Sequence, residues 1–203
     1  MRIGMSAKKT QIIAAAMDAF LQNGFAVSMD HVAERAVVSK QTIYTHFKSK
    51  EALFTAIIQE RVGAFRLPSE DFNTELSLDN FLVSFAEKYL VHCLSKDSIN
   101  IFKLIVGEAE KIPTVASIYF KEVLESPTSI LQGFFEKQNK IGNLHFPDPR
   151  LAAEQFCGMV SQHVFTKALF MPFDLDEEER RTIAKEATKV FLHGHNKLKF
   201  WMN

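Results

Sequence analysis

Glycine is scarce in this 203-residue chain, with eight residues in all, and the closest pair is Gly133 and Gly142. No phosphate cradle of the P-loop or dinucleotide type can be written with that spacing, because both need several glycines within a few residues. Cysteine is scarcer: Cys93 and Cys157 are the only two. They have no CxxC partner, so a cysteine zinc module is excluded and a disulfide framework is disfavoured, which suits a reducing compartment. The seven histidines (31, 46, 92, 145, 163, 193 and 195) make no HExxH, and the one close pair, His193 and His195, reads as solvated. A GxSxG nucleophile elbow is also missing. An enzyme is therefore not expected, nor a metal or cofactor. No apolar run approaches the ~18 residues of a membrane span. The run from Ile12 to Met17 is stopped by Asp18, too soon for the core of a signal peptide. The expectation is a cytoplasmic protein without a membrane partner. Net charge is zero, from 24 basic and 24 acidic residues, which at first sight speaks against a nucleic-acid partner.

What the chain does have is apolar bulk. It is 47% hydrophobic and 24% charged, an ordinary globular balance, with 19 phenylalanines against three tyrosines and one tryptophan. Period-2 alternation and Asn-Gly or Asp-Gly turns are missing, so an all-α fold of about nine helices is expected. Ser6, Ser28, Ser39 and Ser49 can each cap a helix in the first third of the chain. The first helix ends at Asn23-Gly24, and the fourth runs from Ser49 to about Phe65, closed by Pro68. A polar stretch, 67–77, reads as a loop. Longer helices follow at about 77–95, 98–111, after Pro113 and Pro127, from Asp148-Pro149 to Met171, and from Asp174 to about 198. The 98–111 segment is apolar nearly all round and reads as a buried helix. Asp174 with Glu177 reads as a capping-box variant.

The charge is unevenly distributed. Residues 1–50 carry seven bases (Arg2, Lys8, Lys9, Arg35, Lys40, Lys48, Lys50) and three acids (Asp18, Asp30, Glu34). That is a net +4, which leaves −4 for the remainder. Within the basic head, two short capped helices are joined by a tight turn at Val37-Val38-Ser39, the spacing of a helix-turn-helix. On a helical wheel Ile43 and Phe47 face the core, Gln41, Thr45 and Lys48 point outward, and Thr42 and Tyr44 lie on the flanks. The outward face is small, polar and free of acids, as a helix entering the negatively charged major groove requires. Its N-terminus offers unpaired N–H groups to a phosphate.

These residues carry a resemblance. The pattern Ile12, Ala15, Ala19-Phe20, Gly24-Phe25, Ser28-Met29, Val32-Ala33, Ala36 to Lys40, Thr42-Ile43-Tyr44, His46-Phe47 and Lys50 to Leu53 resembles the DNA-binding domain of TetR-family transcriptional regulators. One position departs: the family usually has glycine in the turn, where this chain has Val37, so a slightly reshaped turn is expected. Further on, Phe102, Glu108-Ala109-Glu110, Ile112-Pro113, Gly142-Asn143-Leu144, Asp148-Pro149 and Ala152 to Phe156 resemble the C-terminal domain of the AefR-like branch. The resemblance implies a DNA-binding head over 1–50, a connecting helix over 50–66, and a ligand-binding and dimerisation domain over 51–203.

It implies phosphate contacts for Thr42, Tyr44, His46 and Lys50, and places Lys40, Gln41 and Thr45 nearest the bases. Lys48 and the caps Ser28 and Ser39 complete the DNA-facing set. The wheel puts His46 nearer the core side, where it reads equally well as a packing residue. The last two long helices would dimerise through Phe156, Val160, Val164, Ile183, Ala187, Val190 and Phe191. Sixteen of the 19 phenylalanines lie from Phe54 onward. Phe85, Tyr89, His92, Phe102, Phe120, Phe134 and Phe165 would line a cavity for a small hydrophobic or aromatic inducer, although core packing explains each of them singly. The implied function is a ligand-released repressor that binds a double-stranded, palindromic operator as a homodimer. A helical protein-interaction adaptor without DNA binding is the alternative.

Overall fold

Side-chain caps set five of the helix starts. In a computed structural model, Ser28, Ser39, Ser49, Ser77 and Asp148 each accept a hydrogen bond from the backbone N–H three residues on, at 3.0–3.3 Å. Each bond satisfies one of the N–H groups that a helix start leaves without an internal partner. The structure describes residues 7–62, 65–66, 77–142 and 145–201. Ser6, Pro68, the 67–76 stretch and Asn143-Leu144 lie outside the described residues.

The elements are α1 (Ala7–Asn23), α2 (Met29–Arg35), α3 (Lys40–His46), α4 (Lys50–Ile57), α5 (Leu78–Cys93), α6 (Lys96–Glu108), α7 (Pro113–Tyr119), α8 (Glu125–Ile141), α9 (Pro149–Phe170) and α10 (Glu177–Trp201). A π-helical turn, Ile58–Val62, continues α4, and another, Phe120–Leu124, joins α7 to α8. The described residues therefore form nine continuous helical rods and no strand, an all-α fold. Pro127 has no N–H to offer and its ring crowds the carbonyl four residues back. It stands third in α8, directly after the π turn, so an α-helical segment opens at this proline as expected.

Two expectations are corrected. The capping box of α10 is Asp176 with Glu179, not Asp174 with Glu177. The Glu179 N–H donates to Asp176 at 2.8 Å and the Asp176 N–H donates to Glu179 at 3.0 Å. Leu175, the residue before the cap Asp176, is buried, and α10 begins at Glu177. The sixth helix is amphipathic instead of buried all round: Ser98, Ile101 and Ile105 face inward, while Val106 is 60% exposed. The 3.6-residue period overrode the apolar composition there.

The chain packs as two units. One comprises Met1–Gly63 with Lys96–Val123, the other Ala64–Ser95 with Leu124–Asn203. In the first, α6 and α7 share a core with the short helices: Ile12, Phe20, Val32, Ile43, Leu53, Phe54, Ile101, Val115 and Tyr119 are buried together. Phe20 and Phe54 meet edge to face at 5.0 Å, a favoured aromatic geometry. In the second, α5 packs on α10 and α8 on α9. Phe135, Phe146 and Phe191 stack at 4.2–6.0 Å in its core. Both cysteines are free and buried there, and burial pushes each thiol up to about 12.

Candidate nucleic-acid interface

The head presents α3 as a helix held on one side and open on the other. Ile43 and Phe47 are buried and anchor it to the core. Lys40, Gln41, Tyr44, Thr45, His46 and Lys48 are exposed, and Thr42 is half-buried. The Ser39 hydroxyl oxygen accepts from the Thr42 N–H at 3.1 Å and lies 2.8 Å from the Thr42 hydroxyl, so these two side chains fix the helix start together. Thr45 donates its hydroxyl proton to the Gln41 carbonyl at 2.9 Å, which leaves its oxygen as an outward acceptor. No acid lies on α3 itself. Ser28, also exposed, caps α2 by accepting from the His31 N–H.

The four candidate cations and imidazoles of the site differ in freedom. Lys48 is exposed. His46 is also exposed, with its ring 6.3 Å from that of Phe47. Lys40 donates to the Asp30 carboxylate on α2 at 2.8 Å, and that hydrogen bond and charge raise its pKa. Lys50 is half-buried, with its ammonium 4.8 Å above the Phe25 ring, and burial lowers its pKa. Sequence reasoning missed Lys9, whose ammonium lies 5.6 Å from the Phe47 ring and so brings a base of α1 beside the end of α3. The signal was present in the basic head, but α1 was read only for its apolar face.

The turn between α2 and α3 keeps its regular geometry, contrary to the reshaping expected from Val37. The Val37 N–H donates to Glu34 O and the Val38 N–H to Ala33 O, both at 3.0 Å, which is the paired bonding of a Schellman motif. Val37 itself takes the left-handed conformation, at φ +52°.

The candidate ligand residues divide between the packing units. Phe102 and Phe120 fall in the first, where Phe102 is half-buried and Phe120 is 56% exposed. The other five fall in the second. Phe85 is fully buried, and Tyr89, His92, Phe134 and Phe165 are half-buried. Phe85, Tyr89 and His92 all pack on Phe65 at 5.2–5.8 Å, and Phe134 stacks on Phe81 at 3.7 Å. Phe65 and Phe81 were not anticipated, since a sequence alone does not say which of 19 phenylalanines meet.

The candidate dimer residues lie mostly on the inner face of their helices. Phe156, Val160, Val164 and Phe191 are buried inside the protomer, and Ile183 and Ala187 are half-buried against the same core. Only Val190, 58% exposed, faces outward. The apolar stripe read from the sequence is the face that holds the protomer together. The outward apolar residues of α9 include Leu151 and Met159, with Gln155 and Gln162 exposed at the same helical spacing.

The capped α2–turn–α3 arrangement and the acid-free face of α3 define a helix-turn-helix protein. Residues 12–57 match the bacterial regulatory proteins of the tetR family, and residues 80–195 match the AefR-like transcriptional repressor C-terminal domain. The chain belongs to the TetR family of transcriptional regulators, in its AefR-like branch. This is a family of regulators with a DNA-binding N-terminal domain, not of enzymes. The chain is 36% identical over 74 residues to the HTH-type transcriptional regulator RutR of Escherichia coli K12, a match covering 36% of this chain and 35% of RutR. It is 25% identical over 162 residues to the fatty acid metabolism regulator protein of Bacillus subtilis, covering 78% of this chain and 82% of that protein. Among solved structures, the flavonoid-responsive regulator FrrA superposes with a TM-score of 0.75 at 30% identity, covering 92% of this chain and 96% of FrrA. A TetR-family regulator from Mesorhizobium loti shares the fold with a TM-score of 0.76 at 24% identity, covering 92% and 95%. Among the described residues, no helix is long and apolar enough to cross a membrane.

Proposed function

We propose that this chain is a cytoplasmic, homodimeric repressor that binds a palindromic DNA operator through α3 and is released by a small hydrophobic or aromatic ligand. The observation that carries the reading is the exposed, acid-free face of α3, with Gln41, Thr45 and Lys48 outward and Ile43 and Phe47 inward. Amides and hydroxyls on such a face can meet base edges, while lysines neutralise phosphates. One helix-turn-helix reads few base pairs, so two heads on a two-fold axis bind half-sites about 34–36 Å apart, or multiples of that. The family's bundle of its last two helices would then use Leu151, Met159 and Val190, three of the apolar residues left outside the protomer core.

The Phe65–Phe85–Tyr89–His92 aromatic cluster supports an apolar or aromatic ligand, and so does the flavonoid response of FrrA. Ligand binding would favour a dimer with wrongly spaced heads and release DNA by population shift. The test is salt-dependent retention of a duplex spanning the gene's own upstream region, measured with the purified full chain. Retention that falls steeply with salt supports the reading. Equal, weak retention of every duplex at all salt concentrations overturns it.

A further inference from the structure

Val37 sits in a backbone conformation that its side chain resists. It is the one non-glycine with positive φ among the described residues; the other positive-φ positions are Gly24 and Gly142. The conformation follows from the Schellman motif that ends α2, in which the residue after the cap must turn left-handed to satisfy the last carbonyls. Glycine does this without cost, whereas a β-branched residue there is strained by about 1–2 kcal/mol. Packing does not offset the strain, because the Val37 side chain is 81% exposed. Its neighbour Val38 supplies the apolar contact with the core. The protomer thus gives a reason for the conformation at position 37 and none for the valine.

The location supplies the reason. Val37 lies two residues before Ser39, the cap of α3, so its Cα is within about 11 Å of that of Lys40. It is exposed on the turn that leads directly into α3, whose first residues Lys40 and Gln41 are also exposed. We propose that Val37 is a specificity-determining residue whose isopropyl group makes an apolar contact with double-stranded DNA at the rim of the groove that α3 enters. This rests on the DNA-binding reading above. DNA offers two apolar groups there, the thymine C5-methyl, which reports sequence, and the deoxyribose, which reports backbone position. An isopropyl group held rigidly in a left-handed turn meets either one without losing rotamer freedom on binding.

The experiment uses the full chain as wild type, Val37→Gly and Val37→Asn. Asparagine tolerates the left-handed conformation and keeps a Cβ, so it separates loss of the apolar group from added turn flexibility. A duplex is enriched from a random pool with the wild type, and its affinity for all three proteins is measured beside their melting temperatures. Both variants are expected to melt at or above the wild-type temperature yet bind the duplex about tenfold more weakly. Replacing each thymine by deoxyuridine then distinguishes the sources. One position that weakens the wild type and leaves Val37→Gly unchanged identifies a methyl contact. A variant defect that persists with no such position identifies the sugar. Variants that bind the enriched duplex as tightly as the wild type overturn the proposal while leaving DNA binding intact. A wild type that enriches no sequence overturns the DNA-binding reading, and this inference with it.

Discussion

The Lys40 ammonium lies 2.8 Å from the Asp30 carboxylate, so the first residue of α3 is tied to the first turn of α2. Both side chains are largely exposed, and a surface pair of this kind is readily exchanged for another anion. A phosphate arriving at the α3 face therefore competes with Asp30 for Lys40. Asp30→Asn removes the competitor and one negative charge from the head. Its DNA affinity should rise, and the slope of log affinity against log salt should steepen by up to about one, as expected when one more cation engages a phosphate. Titrating labelled duplex at several salt concentrations checks this. An unchanged slope would show that Lys40 stays off the phosphates.

Lys48 and Lys50 should behave differently despite lying two residues apart. Lys48→Ala should weaken binding to all duplexes and lower the salt slope by about one. Lys50 holds its ammonium 4.8 Å over the Phe25 ring, with the Glu51 and Glu108 charges acting on it. Lys50→Ala should change the slope less and cost about 0.5–1 kcal/mol of stability, read from chemical denaturation. Equal slopes and equal stabilities in the two variants would contradict the geometry.

Gly24 and Gly142 both turn the chain left-handed at a helix end, at φ +69° and +77°. An added Cβ at Gly142 meets nothing within 4 Å, whereas at Gly24 it comes within 3.2 Å of the Glu108 carboxylate. Gly142→Ala should therefore cost only the conformational penalty, about 1–2 kcal/mol. Gly24→Ala should cost that plus the displacement of Glu108, a carboxylate that also pairs with Lys111 at 3.0 Å. Glu108→Ala in the Gly24→Ala background should recover part of the difference, measured as midpoint shifts in urea.

Burial lowers the His92 pKa from its ordinary value of 6.5. The unfolded chain then takes up a proton on this ring at a higher pH than the folded chain does, so stability rises with pH through that window. As pH falls below about 6.5, protonation favours the unfolded state. The melting temperature should drop between pH 7.5 and pH 5.5, and His92→Phe should shrink the drop. An identical drop in that variant would assign the effect elsewhere.

The local rules were legible in the sequence because their partners lie within a turn of one another. Ser28, Ser39 and Ser49 reach N–H groups three residues on, and the wheel of α3 needs only the 3.6-residue period. The same logic failed where local signals competed. Asp174 and Asp176 both precede a glutamate at the right spacing, and the reciprocal bonds form at Asp176 and Glu179, next to the buried Leu175. Val37 was recognised as unsuited to its turn, but whether the turn or the valine would yield depended on the bonds to Ala33 and Glu34.

The sequence by itself determined an all-α chain, a basic head that its zero net charge concealed, and which residues form the exposed, acid-free face of α3. Each of these is written in a short stretch, through periodicity, caps and counted charge. Only the tertiary structure decided which apolar stripe closes the protomer and which is left outside it. Phe156, Val160, Val164 and Phe191 went inward, while Leu151, Met159 and Val190 stayed exposed. A helix carries the same apolar residues whether they meet its own chain or a second one. The choice between those partners is made by elements far away in sequence, here α5 and α8 packing against α10 and α9.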